Sequence, residues 1–108
     1  MISEEWKPIV DRLIERTRNG ELQWQDQPGG YRVSFVNQTV SVSRTYDDRS
    51  GESDGWAVNL VNEAGTWIDG CYESEGETDQ RISDLHEAIR RQLLDVGGEL
   101  RRLRENLG

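Results

Sequence analysis

A single cysteine, Cys71, leaves this chain no intramolecular disulfide and no all-cysteine metal site. A single histidine, His86, confines imidazole chemistry to one position, where a base would need a nucleophile or an orienting acid beside it. Ser83 is within helical reach of His86, but Ser, Asp and His inside one helical turn serve capping and solvation rather than a catalytic triad. Only 33% of the 108 residues are apolar, and no apolar run approaches the roughly 20 residues that span a bilayer. Nothing at the N-terminus resembles a signal peptide, so a soluble cytoplasmic protein is the expectation. Lys7 is the only lysine among 13 basic residues, and 21 acids bring the net charge to −8. That balance argues against direct binding to nucleic acid or to an anionic membrane, since both present negative charge. The chain also lacks a phosphate-cradling glycine loop, a zinc spacing and an aromatic-and-basic surface; Gly29-Gly30 reads as a turn. No cofactor, metal or catalytic residue is assigned.

The length fits one α+β domain over residues 1–108 with a thin core. Its centre is Tyr31 to Arg44, which alternates as a hairpin. With Asn37-Gln38 as a two-residue turn, Phe35 pairs with Val40, Val33 with Val42 and Tyr31 with Arg44. Tyr31, Val33, Phe35, Val40 and Val42 then share one face, and Arg32, Ser34, Ser41 and Ser43 take the other. Ahead of it, Trp6, Ile9, Val10, Leu13, Ile14 and Thr17 recur at helical spacing. Ser3 with Glu4 and Glu5 suits the start of that helix, while Pro8 favours the first helical position; Asn19-Gly20 closes it. Leu22 and Trp24 then return to the core along a short edge strand or extended link.

A second hairpin is expected at Trp56 to Asn62 and Thr66 to Tyr72, turning at Asn62-Glu63-Ala64-Gly65 with Gly65 left-handed. This pairs Leu60 with Ile68, Val58 with Gly70 and Trp56 with Tyr72, and turns Trp67, Asp69 and Cys71 to the more polar face. The last segment carries Ile82, Leu85, Ile89, Leu93, Val96, Leu100, Leu103 and Leu107 in helical phase, with Ser83 or Asp79 as a cap. Gly97-Gly98 costs about 2 kcal/mol relative to two alanines, yet the unbroken phase favours one continuous or gently bent helix. The expected architecture is two-layered: an N-terminal helix, a four-stranded antiparallel meander and a long C-terminal helix, both helices on one sheet face.

Three features bear on function. From Ser83 to Leu107 a continuous helix is about 37 Å long, against about 20 Å for a six-residue strand. Leu100, Leu103 and Leu107 therefore need cover beyond the sheet, from a second copy, from a partner, or from the helix folding back at the glycines. Arg101 and Arg104 flank that stripe. The second feature is acidic: Asp47, Asp48, Glu52, Asp54, Glu73, Glu75, Glu77 and Asp79 are expected to converge at one end of the sheet. Solvated loops are the ordinary explanation of such a run, with a basic partner or a divalent cation as alternatives, and the spacing is not that of an EF-hand. The third is Trp67, a large apolar residue on the face away from the helices. Together these features favour a small non-catalytic interaction or regulatory module. It would self-associate, as a homo-oligomer such as a dimer, or bind a protein partner through its C-terminal helix. An acidic inhibitor or mimic occupying a basic nucleic-acid or protein site is the alternative, and a metal-dependent enzyme or metal-binding protein the third.

Overall fold

In the computed structural model, which describes residues 1–108, the N-terminal apolar stripe forms helix α1, Trp6–Arg18, burying Trp6, Val10, Leu13, Ile14 and Thr17. Pro8 is its third residue rather than its first, a position whose N–H has no intrahelical partner in any case. The Ser3 carbonyl accepts from the N–H groups of Trp6 and Lys7, each at 3.1 Å. At the other end Gly20 sits at φ +75° while Glu21 N–H reaches the Arg16 carbonyl and Gly20 N–H that of Thr17. This is the left-handed closure expected of Asn19-Gly20. Leu22 and Trp24 are then buried, and the Trp24 indole donates to Thr17 Oγ1 at 2.9 Å.

The sheet is an antiparallel meander of five strands rather than four: β1 Gln25–Gln27, β2 Gly30–Ser34, β3 Gln38–Tyr46, β4 Ser53–Asn62 and β5 Trp67–Ser74, in chain order. The additional strand, β1, turns through Pro28-Gly29 to pair Gln27 with Gly30.

In the central hairpin Val33 pairs with Val40 and Tyr31 with Val42, so the turn is centred on Val36-Asn37 and the register differs by two residues from that expected. A two-residue slip preserves the faces, because side chains alternate with period two. Tyr31, Val33, Val40 and Val42 remain on the helix side, whereas Phe35 moves into the turn and is part exposed.

The second hairpin has its expected turn, with Gly65 at φ +84° and Val61 opposite Trp67. Past Val61 a bulge shifts the register by one: Leu60 pairs with Asp69, Val58 with Cys71 and Trp56 with Glu73. A one-residue shift inverts a strand. Asp69 and Glu73 consequently face the helices, where each accepts a hydrogen bond from the helical layer: Trp6 Nε1 to Asp69 at 3.0 Å and Ile82 N to Glu73 at 3.0 Å.

The C-terminal stripe forms two helices, α2 Arg81–Leu93 and α3 Val96–Leu107, in place of one long helix. Neither Ser83 nor Asp79 caps α2 in the usual way; Glu73 accepts from Ile82 N and Ser83 N, while Asp79 accepts from Arg81 N. The break falls at Asp95, ahead of the two glycines, with φ 48° and ψ 51°. Aspartate tolerates this left-handed conformation, and its side chain then caps α3 by accepting from Gly98 N.

The two-layer arrangement holds for α1 and α2. They pack side by side on the face carrying Val33, Val40, Val42 and Val58, with Ile82, Leu85 and Ile89 fully buried between them and the sheet. They run in the same direction: Arg81 bonds Asp11 near the start of α2, and Gln92 bonds the Thr17 carbonyl near its end. Helix α3 does not join this layer. The radius of gyration is 15.3 Å and the longest dimension 50 Å, against about 13 Å expected for a globular chain of some 100 residues. No helix is long and apolar enough to cross a membrane.

Candidate interaction surface

Helix α2 ends at Leu93, beyond the bond from Gln92 to the Thr17 carbonyl, and the left-handed Asp95 separates it from α3. Its apolar stripe is uncovered: Leu100, Leu103 and Leu107 are 55, 51 and 79% exposed, and Leu93 and Leu94 at the corner are also open. The fold-back expected as one alternative, a terminal helix lying beside α1, does not occur. On a helical projection Arg104 lies directly beside the leucines and Arg101 beyond it. Arg102 pairs with Glu99 one turn earlier, while Arg101 and Arg104 have no carboxylate partner.

A second apolar opening lies along the N-terminal half of α1. Trp6, Ile9 and Leu13 form one wall and Val40 and Leu60 the floor of a groove of about 490 Å³, with Phe35 and Ile68 at its rim. Ile9, Phe35 and Ile68 are 47, 39 and 50% exposed. The polar groups lining it are Glu5, Gln38 and Asp69, with no base among them. Nearby bases are already engaged: Lys7 with Glu4, Arg12 with Glu15 and Arg16 with Glu21. The sequence does not reveal this groove. Ile9 and Phe35 read as core positions, and what opens the groove is the turn at Val36-Asn37 and the bulge at Ile68.

The acidic residues divide. Glu75 N bonds the Asp54 carbonyl, so the loops after β3 and β5 do meet at one end of the sheet. Glu73, however, is 3% exposed beneath α2 and is no part of an acidic surface. Burial pushes its carboxyl pKa up despite the N–H groups of Ser83 and Ile82 that favour the charged form. Asp54 accepts from Thr45 Oγ1, Asp47 from the N–H groups of Arg49 and Ser50, Glu77 from Ser74 N and the N-terminal amine, and Asp79 pairs with Arg81. The Ser74 N–H holds the Glu77 carboxyl below its ordinary range. Asp48, Glu52 and Glu75 remain exposed and unpaired. No three Asp, Glu, His or Cys side chains converge closely enough to share a metal ion.

His86 lies between aromatic rings that distant strands supply, Trp56 at 4.1 Å and Tyr31 at 5.1 Å, with the Arg44 guanidinium over Trp56 at 4.6 Å. Burial, and then the charges of Arg44 and Arg90, lower its pKa. Ser83 Oγ donates to the Gln80 carbonyl instead of approaching the imidazole. Cys71 faces the helices rather than the polar side, and burial raises its thiol pKa to about 11. Few thiolates form at neutral pH under those conditions.

Trp67 lies on the face away from the helices, 59% exposed, with its indole nitrogen bonded to Asn59 Oδ1 at 2.9 Å. On that face Val61 lies directly opposite it in β4, with Asn59, Thr39 and Ser41 beyond.

Compared with protein-family models, with curated proteins and with solved structures, the chain matches none.

Proposed function

We propose that this chain is a small non-catalytic interaction module that associates, with a second copy of itself or with a protein partner, through α3. The observation that carries this reading is the projecting helix with Leu100, Leu103 and Leu107 uncovered along one side. Fully burying a leucine is worth about 1.5–3 kcal/mol, so completing the burial of Leu100, Leu103 and Leu107 from their present exposures contributes on the order of 3–5 kcal/mol. Micromolar affinity corresponds to about 8 kcal/mol, and association carries its own entropic cost. The surface that receives α3 must therefore add apolar area of its own. Mimicry of an acidic ligand has less support, because five of the eight carboxylates expected at that end of the sheet are spent on hydrogen bonds and ion pairs within the fold.

Light scattering across a concentration series tests the proposal, comparing the intact chain with the triple substitution Leu100→Gln, Leu103→Gln, Leu107→Gln. Glutamine keeps good helix propensity and removes the apolar face. Association of the intact chain that the triple variant loses supports the reading for self-association. If the intact chain is monomeric at every concentration, capture of a partner must depend on the same leucines; equal capture by both forms overturns it.

A further inference from the structure

We propose that the groove along the N-terminal half of α1 is the seat of α3 from a second copy of this chain. The inference rests on the reading of α3 as the contact helix and supplies its receptor. Three observations converge on this occupant.

The first is position. Helix α3 begins where Gln92 meets Thr17, at the C-terminal end of α1, while the groove runs along Glu5 to Leu13. One copy therefore leaves both the stripe and the groove unfilled.

The second is size. Leu100 to Leu107 spans about 10 Å of helix, and Glu5 to Leu13 spans about 12 Å. The floor is already the sheet face on which α1 and α2 pack, so α3 would lie there as a third helix against Trp6, Ile9 and Leu13. A small ligand would leave much of its surface in water in so open a groove, whereas a helix shields Ile9, Phe35 and Ile68 together.

The third is charge. Glu5 and Asp69, the only charged groups lining the groove, have no basic partner, and Arg101 and Arg104 beside the leucines have no acidic one. Pairing α3 with α3 of a second copy uses neither carboxylate, and 12 residues are too few for a coiled coil to stand on its own. Reciprocal exchange of two α3 arms closes a twofold dimer and fills both grooves.

The experiment uses the full chain in two arms. In the first, Glu5→Arg and Arg104→Glu are made singly and together, and the dissociation constant is measured by sedimentation equilibrium. Each single reversal is expected to weaken association about threefold to tenfold, and the double to recover most of it. Singles without effect, or a double that merely adds them, overturn the groove as receptor. In the second arm, Ile68→Cys in one population and Leu103→Cys in another are mixed under mild oxidation, with Trp67→Cys replacing Ile68→Cys as the control on the opposite sheet face. A disulfide-linked heterodimer is expected for Ile68→Cys and not for Trp67→Cys. Equal linking at both positions, or linking of the Leu103→Cys population chiefly to itself, overturns the proposal while leaving α3 as the contact helix. A chain that stays monomeric overturns this inference and the self-association reading together.

Discussion

Replacing Glu73 probes the joint between sheet and helices most directly. Its carboxylate reaches from β5 to the first turn of α2, accepting from Ile82 N at 3.0 Å and more distantly from Ser83 N at 3.4 Å. Gln80, the residue at the cap position, contributes no side-chain bond. Glu73→Ala leaves the buried Ile82 N–H without a partner, which costs about 1–3 kcal/mol, while water can reach the part-buried Ser83 N–H. The expected loss is about 2 kcal/mol, or roughly 10 °C in Tm for a domain of this size. Glu73→Gln keeps a carbonyl acceptor and removes the charge, so it separates the hydrogen bond from the ionisation. Because burial raises the folded-state pKa, the folded protein holds the proton more tightly than the unfolded chain. Stability therefore falls as pH rises from the ordinary carboxylate range through the folded pKa, and is flat above it. At pH 7 Glu73→Gln should be at least as stable as the parent, with this part of the pH dependence gone. Urea unfolding of the three proteins at pH 5 and pH 7 measures both effects. A Glu73→Ala variant within 0.5 kcal/mol of the parent (about the scatter of surface substitutions), or a Glu73→Gln variant as damaged as the alanine, refutes the reasoning.

The two glycines of α3 should respond differently to alanine. A Cβ at Gly97 meets nothing within 4 Å, so Gly97→Ala stabilises α3 by about 1 kcal/mol, whereas at Gly98 it lies 2.2 Å from Asp95 Oδ2 and displaces the cap, cancelling a similar gain. Far-ultraviolet circular dichroism and hydrogen exchange of α3 should show more protection for Gly97→Ala alone; equal gains would mean that Asp95 is not capping. At His86 the lowered pKa means that the folded state binds fewer protons than the unfolded chain, so stability is lost as pH falls through the ordinary imidazole range toward the folded pKa. His86→Gln should flatten that acid limb, as read by denaturant midpoints between pH 7 and pH 5, and an unchanged limb would count against the packing of His86 between Tyr31 and Trp56.

These tests fall where local pattern and tertiary structure part company. Alternation along Tyr31 to Arg44 identifies which residues face the helices, but any register that differs by two residues satisfies the same alternation. The faces of that hairpin were therefore legible while the placement of Phe35 was not. The extra residue at Ile68 is a different case. Asp69 and Glu73 read as solvent-facing by hydropathy; the bulge turns them inward, where they accept from the Trp6 indole and the Ile82 N–H, donors that only the assembled helical layer presents. Nothing within several residues of either acid announces those donors. The break signal weighed in the sequence was Gly97-Gly98, against which the unbroken leucine phase favoured a continuous helix; the break falls two residues earlier, at Asp95, whose left-handed backbone and capping side chain the phase does not reveal. The surplus of apolar helix over sheet was legible because it follows from lengths alone: it carries Leu100, Leu103 and Leu107 past the sheet, while the lengths leave open whether the chain folds back over them. The groove those leucines are proposed to enter was not legible, since it is a gap between elements each of which looks complete by itself. An exposed stripe and an open groove of similar length on one molecule, bordered by unpaired charges of opposite sign, form a relation between distant parts of the chain. No local reading of either part contains it.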